Sequence, residues 1–460
     1  MSRLGLCLSL LLPAACMAPT LEPPGTPTRA AQQALPDLPP MKIFGATGAP
    51  ASQPVSNADL ARDFLDLSFE LESGRQLPVF TRFEGQIRVG LSGQVPPGMA
   101  RDLDVVVARL RREAGIDIIR LPLGQEGNLN ISAVPGDEIR KELPAAACFV
   151  VPGISHLGQY RRARRQDRTD WAKLQRRSKL AIFVPSDAPP QELRDCLHEE
   201  LAQALGPLND LYRLPDSTFN DDNIHSILTA YDMLVLRVTY APELRSGMTR
   251  AEVAARLPAL LDRLNPAGKA VAPRHLSATP VAWMNAVARA LGPGASPASR
   301  MRGAQQAVAL AQSYGWTDHR LAFSYYMLGR LAQASDPGRA KGYLTRAHEL
   351  YSRDPRTRLH ATHTAVQLAA FALAEGKPGQ TLALLSGRAA IAREYQNAIL
   401  LANIEMLRAE ALERTGKPDE ARRVRLDSLG WARYGFGPDW AVRARLQEIA
   451  ALNPARGNRP

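Results

Sequence analysis

Three helix-breaking clusters, Ser335-Asp336-Pro337, Gly376-Lys377-Pro378 and Gly416-Lys417-Pro418-Asp419, punctuate an otherwise continuous helical pattern between residues 283 and 435. Proline lacks the amide proton that a helix interior needs, but it is well tolerated in a first turn. Each cluster therefore ends one helix and begins the next. Their spacing of about 40 residues is close to the period of stacked helix hairpins. One such hairpin cannot bury its apolar face alone, so the pattern demands neighbours stacked in a row. The segment 283–435 is expected to be all-α: about four hairpins in a short right-handed solenoid, with an irregular helical bundle as the alternative.

Within it, Leu328-Gly329 followed by Ala340, Leu344 and Ala347 resembles the alternation of small and large residues in a tetratricopeptide hairpin. Ala411-Leu412, Gly416 and Ala421 repeat it less faithfully. The resemblance implies a concave face that receives a partner segment, here an envelope protein or peptide.

Before residue 265 the period changes. Apolar runs at 79–83, 86–91, 116–121, 128–134, 148–151 and 180–184 read as strands. They alternate with amphipathic helices at 57–69, where Asn57 is a candidate cap, and at 98–114. This predicts a mixed-sheet domain over 57–265, and an α+β fold for the chain. A capping box at Thr249 and Glu252 opens the last helix of that domain. Residues 266–282 read as a linker and 436–460 as a C-terminal tail.

The first sixteen residues carry Arg3, an apolar stretch from Leu4 to Leu12, then Pro13-Ala14-Ala15-Cys16, the order of a secretory signal. The ending on Cys resembles a bacterial lipoprotein signal, which implies acylation of Cys16. Met17 after it implies retention at the outer membrane, on the periplasmic face. Residues 17–56, rich in Pro, Ala and Thr, read as an extended tether. Cys148 and Cys196 remain; in an oxidising compartment two such thiols are candidates for one disulfide, with reactivity or metal ligation as alternatives.

The helix opened by Pro189-Pro190 places Leu193, Leu197, Leu201 and Ala204 on one stripe, with Cys196, Glu199, Glu200 and Gln203 on its flank. His198 is expected to project outward. The run Glu199-Glu200-Leu201-Ala202-Gln203-Ala204-Leu205-Gly206-Pro207-Leu208-Asn209 resembles the metzincin zinc-peptidase motif H-E-x-x-H-x-x-G-x-x-H. Glu200 and Gly206 are retained, while Glu199, Gln203 and Asn209 occupy the three ligand places. Ser217-Thr218-Phe219-Asn220 lies where the Met-turn would, and 228–240 resembles a closing helix. Residues 196–248 also resemble a proteobacterial lipoprotein family known only as domain of unknown function 2927, which implies no activity. The metzincin resemblance implies descent from a metal enzyme whose ligands have been exchanged.

Zinc prefers imidazole and thiolate, and two carboxamides are weak donors for it. No catalytic zinc is therefore expected without help from His156, His225 or Asp210. Calcium, which takes several oxygens, would use Glu199, Glu200, Asn209, Asp210, Asp221 and Asp222. The favoured expectation is a metal-free hydrogen-bond network, a pseudoenzyme with a binding role. The alternative is a metal-dependent peptidase or cell-wall hydrolase with Glu200 as general base.

His360 and His363 share a helix face with no carboxylate nearby in sequence, and are expected on the solenoid surface. The formal charge is +12, with nine Lys or Arg between 161 and 179. Arg161, Arg162, Arg164, Arg165, Arg176 and Arg177 are candidates for contact with anionic lipid or cell-wall polymer, and otherwise form a solvated loop; an exported chain makes nucleic acid an implausible partner.

Overall fold

The computed structural model describes residues 38–45, 50, 53–144 and 146–453. The signal segment with Cys16, and residues 17–37 of the expected tether, lie outside them. The fold is α+β, with a five-stranded mixed sheet in the N-terminal half and helices throughout the C-terminal part.

The N-terminal half runs α1 (Asn57–Phe69), β1 (Ile87–Gly93), α2 (Met99–Ala114), β2 (Ile118–Arg120), β3 (Leu129–Val134), α3 (Gly136–Glu142), β4 (Phe149–Pro152), α4 (Leu157–Ala163), β5 (Leu180–Pro185), α5 (Pro190–Leu205), α6 (Ala230–Thr239) and α7 (Arg250–Leu264). The sheet order is β2-β1-β3-β5-β4. All pairings are parallel except β4 with β5, so the antiparallel strand sits at an edge. Strand β5 is apolar throughout because both faces are covered. Leu180, Ile182 and Val184 join Leu103, Val106, Leu197 and Leu201 of α2 and α5. Ala181 and Phe183 pack with Ile139, Leu157 and Ala163 of α3 and α4.

Two local expectations are corrected. Ser56 rather than Asn57 caps α1, its hydroxyl accepting the Asp59 amide at 3.1 Å. Residues 79–82 form no strand: Phe80 and Gly247–Met248 pair only locally, through Phe80 N to Met248 O at 2.8 Å and Gly247 N to Phe80 O at 2.9 Å. The apolar alternation there serves core contacts, with the Phe80 ring 6.1 Å from that of Phe64.

The C-terminal part comprises α8 (Val281–Leu291), α9 (Pro297–Ser313), α10 (His319–Ala332), α11 (Pro337–Tyr351), α12 (Arg358–Ala374), α13 (Pro378–Leu385), α14 (Arg388–Glu394), α15 (Ala398–Arg414), α16 (Pro418–Phe436) and α17 (Asp439–Ala451). Helices α8 to α13 each pack on the next, as do α15 and α16. Pro337, Pro378 and Pro418 each open a helix, and Gly376 and Gly416 take the positive φ that ends the preceding one. The period falters at Gly387, whose φ of 72° divides one long helix into α13 and α14.

Two segments read as irregular are ordered by contacts. Helix α17 lies within the expected tail and buries Val442 and Ile449. Residues 39–44, assigned to the tether, lie along α16: Lys42 N donates to Gly430 O at 2.9 Å, and the Phe44 ring stacks on Trp431 at 4.5 Å. The guanidinium of Arg194, from α5, sits 5.3 Å over Phe44. Further contacts join the halves. Gln191 Oε1 accepts from Ile399 N at 2.9 Å, and Arg194 Nη2 donates to Gln396 O at 2.5 Å.

A disulfide joins Cys148, just before β4, to Cys196 on α5, across 48 residues of chain. Closing a loop of that length restricts the unfolded chain and is worth about 2–4 kcal/mol. Cys148→Ala/Cys196→Ala protein should lose that amount in urea denaturation without reductant. A loss below ~1 kcal/mol would mean that packing alone holds β4 against the helix.

Candidate functional site

Helix α5 places its apolar stripe on the sheet, with Leu197 and Leu201 fully buried. Its C-terminal carbonyls are held by a buried cation: Arg177 donates from Nη1 to Gln203 O and from Nη2 to Gly206 O, both at 2.5 Å. A guanidinium at that end of a helix also complements the macrodipole. Arg177 is 3% exposed, so its place among the surface-contact arginines is corrected; desolvation lowers its pKa to about 10. Gly206 is required by close approach, since a Cβ there would meet Thr239 Cγ2 at 2.8 Å.

Beside this helix end a cavity of about 510 Å³ opens. Glu72, Glu199, Glu200, Asp210 and Asp221 all line it, together with Gln203 and Asn223. Trp171, Phe149 and Leu208 supply an apolar wall. No Lys, Arg or His is among the described residues that line it. Glu72 and Asp221 are exposed at the rim, and Tyr212 donates its hydroxyl to Asp221 Oδ2 at 2.7 Å.

The deeper carboxyls are perturbed by burial first and by one another second. Burial, then Glu199 and Glu72, raise the Glu200 pKa well above the usual carboxyl range. Asp210 is raised likewise, by burial and then by Glu72, Glu199, Asp221 and Glu200. Glu199 is pushed up to about 7 by burial, Glu72 and Asp221. Glu200 is 4% exposed, yet its Oε2 has no hydrogen-bond partner; Asp210 Oδ1 has none either. Such orphaned oxygens are costly in a protein interior, and any hydrogen-bond network among these side chains leaves the two atoms outside it.

Of the degenerate ligand positions, Glu199 and Gln203 face the cavity and Asn209 does not. Asn209 instead donates to Asp66 O at 3.1 Å, and Asp210 takes its place. Among the described residues, no three of these carboxylates bring oxygens within 4.8 Å of one another; the cluster that meets this limit is Asp222, His225 and His360. The calcium set is thereby divided, with Asp221 at the cavity and Asp222 elsewhere. Glu72 was missed by sequence reasoning, since only the turn 71–74 places it opposite α5.

His198 is also corrected. It is 3% exposed, accepts the Leu228 amide at Nδ1 (3.2 Å), and burial holds its pKa well below the normal value, so it is neutral. Arg161, Arg162, Arg164, Arg165 and Arg176 are exposed. Arg161 pairs with Glu138 and Glu142, and Arg164 with Glu142 at 3.2 Å.

Residues 57–259 match a family described as a protein of unknown function, DUF2927. The match begins with α1, ends inside α7 and contains every residue lining the cavity. No curated protein matches the chain.

The raised Glu199 pKa fixes a pH dependence. Between about pH 4.5 and 7 the folded chain keeps a proton that the unfolded chain releases, so stability falls as pH rises through that window. Glu199→Gln protein should match the parent near pH 4 and exceed it at pH 8 by roughly 1–3 kcal/mol in denaturant titrations. A variant less stable than the parent at pH 8 would contradict this.

Proposed function

We propose that this protein is a lipid-anchored binding module of the bacterial envelope. Its 57–265 domain descends from a metzincin-like peptidase and uses the acidic cavity to take an amine-bearing cationic ligand. The observation that carries this reading is the lining itself: five carboxylates around one ligand-sized space with no basic side chain among the described lining residues. The spread of the carboxylates favours a molecule with separated ammonium groups over a single metal ion, and Trp171 offers a surface for its methylenes.

The motif helix, packed on a mixed sheet and ending at Gly206 beside a cleft, supports the metzincin descent. Acylation at Cys16 supplies the membrane attachment at the outer membrane; no helix among the described residues is long and apolar enough to cross a bilayer. The tetratricopeptide-like helices carry a protein or peptide partner, and the exposed arginines of 161–176 face anionic lipid or cell-wall polymer.

A hydrolase reading is favoured by one observation, the proton that burial keeps on Glu200. It supports a general acid rather than the general base expected from the motif, because a base must be ionised at working pH.

Calorimetry of the mature chain with spermidine and with a lysyl-lysine dipeptide at pH 7 separates these readings. Binding should release protons, visible as a buffer-dependent enthalpy, and should weaken about tenfold or more in Glu199→Gln/Glu200→Gln protein, a loss of ~1.4 kcal/mol. Absence of binding, or equal affinity in the variant, would remove the receptor role. Turnover of a cell-wall polymer that vanishes in folded Glu200→Gln protein would establish the hydrolase instead.

A further inference from the structure

A second group of ionisable side chains lies away from the acidic cavity, where the loop between α5 and α6 meets α12. His360, expected on the surface, is 1% exposed and its Nε2 lies 2.8 Å from Asp222 Oδ2, 138 residues away in sequence. His363 is half-buried, and desolvation lowers its pKa to about 3. The His225 ring stands 5.5 Å from that of His360. The side chains of Asp222, His225 and His360 are 3%, 1% and 1% exposed.

We propose that Asp222, His225 and His360 bind one transition-metal ion of the zinc class, clamping the 210–228 loop to α12. One ligand atom from each residue lies within 4.8 Å of the other two. An ion at the centre of an equilateral triangle with 4.8 Å sides sits about 2.8 Å from each corner (4.8/√3). Zinc–nitrogen and zinc–oxygen bonds are about 2 Å, so an inward movement of under ~1 Å closes the site. Side-chain rotation alone can supply that.

The donor chemistry selects the ion. Two imidazoles and one carboxylate suit zinc, cobalt or nickel and do not suit calcium or magnesium. His225 Nδ1 and His360 Nδ1 are buried without hydrogen-bond partners. Orphaned polar atoms of this kind call for a ligand or a cost in stability. Nε2 of His225 is likewise without a hydrogen-bond partner but lies 3.3 Å from Asp216 Oδ1, a carboxylate that would fix the tautomer once a metal turned the ring. Asp216 is in turn held by the Tyr395 hydroxyl at 3.2 Å, so the orienting shell also spans both halves of the chain.

The test uses the mature full-length chain, stripped with a chelator and titrated with zinc by calorimetry and with cobalt by visible absorption. One equivalent of zinc should bind, raise the thermal midpoint, and be matched by cobalt bands of a low-coordinate nitrogen–oxygen site. His360→Gln, whose amide can still donate to Asp222, should weaken zinc binding at least tenfold, with Asp222→Asn as the second variant should the first not fold. Glu199→Gln/Glu200→Gln protein should bind zinc as the parent does. Failure of the parent to bind zinc overturns the proposal. So does unchanged affinity in the His360 and Asp222 variants, or loss of binding only in the cavity variant, which would put the metal among the glutamates.

Discussion

A helix buried along most of its length must find a partner for each polar group it hides, and α5 is such a helix, with Glu192 exposed and Asp195 and Glu199 half-buried. Leu193, Leu197 and Leu201 go to the sheet, while Gln191 and Arg194 reach the loop 396–399 of the helical part. Cys196 is bonded to Cys148, His198 accepts an amide, and the terminal carbonyls fall to Arg177. In this inventory Arg194 Nε, Asp195 Oδ1 and Glu200 Oε2 are left without a hydrogen-bond partner, and of these three residues it is Glu200 that lines the acidic cavity. A buried carboxyl with an orphaned oxygen is the kind of local inconsistency that folded chains keep at working sites. The cavity therefore owes part of its character to a buried carboxyl that the helix leaves unsatisfied.

The same helix couples the two halves. Arg194 lies under both Phe44 and Tyr434, and Tyr434 donates to Asp102 on α2 at 2.8 Å. The sheet domain, the 39–44 segment and α16 thus share one aromatic and cationic seam. On the other flank, His319 Nε2 lies 2.7 Å from Tyr212 O, and the Tyr212 ring meets Trp283 edge-on at 4.9 Å. Both seams are polar at their centres, so the relative placement of the halves depends on directional bonds as much as on apolar area.

Much of this architecture was legible because it rests on local rules. The β5 run, the α5 stripe and the proline-opened helices α11, α13 and α16 follow from periodicity and backbone chemistry alone. The disagreements share one cause. His198, His360 and Arg177 are polar residues whose partners lie far off in sequence or are backbone groups, and no local pattern reports such a partner. Residues 79–82 mimic a strand because their rings serve the core without a neighbouring ladder. At the cavity, Glu199 and Gln203 were visible through motif spacing. Exchange of Asn209 for Asp210, and the arrival of Glu72, depended on how the turn after Gly206 and the turn 71–74 are folded.

Asp221 and Asp222 are consecutive, and their side chains serve different places. The first borders the acidic cavity and is tied to Tyr212, while the second meets His360 on α12. A peptide unit shared in this way makes a short lever. Whatever immobilises one carboxylate restricts the backbone that aims the other, and thermodynamic reciprocity requires the influence to run in both directions with equal strength. Events on α12 can thus be felt at the pocket mouth with no rearrangement of the sheet between.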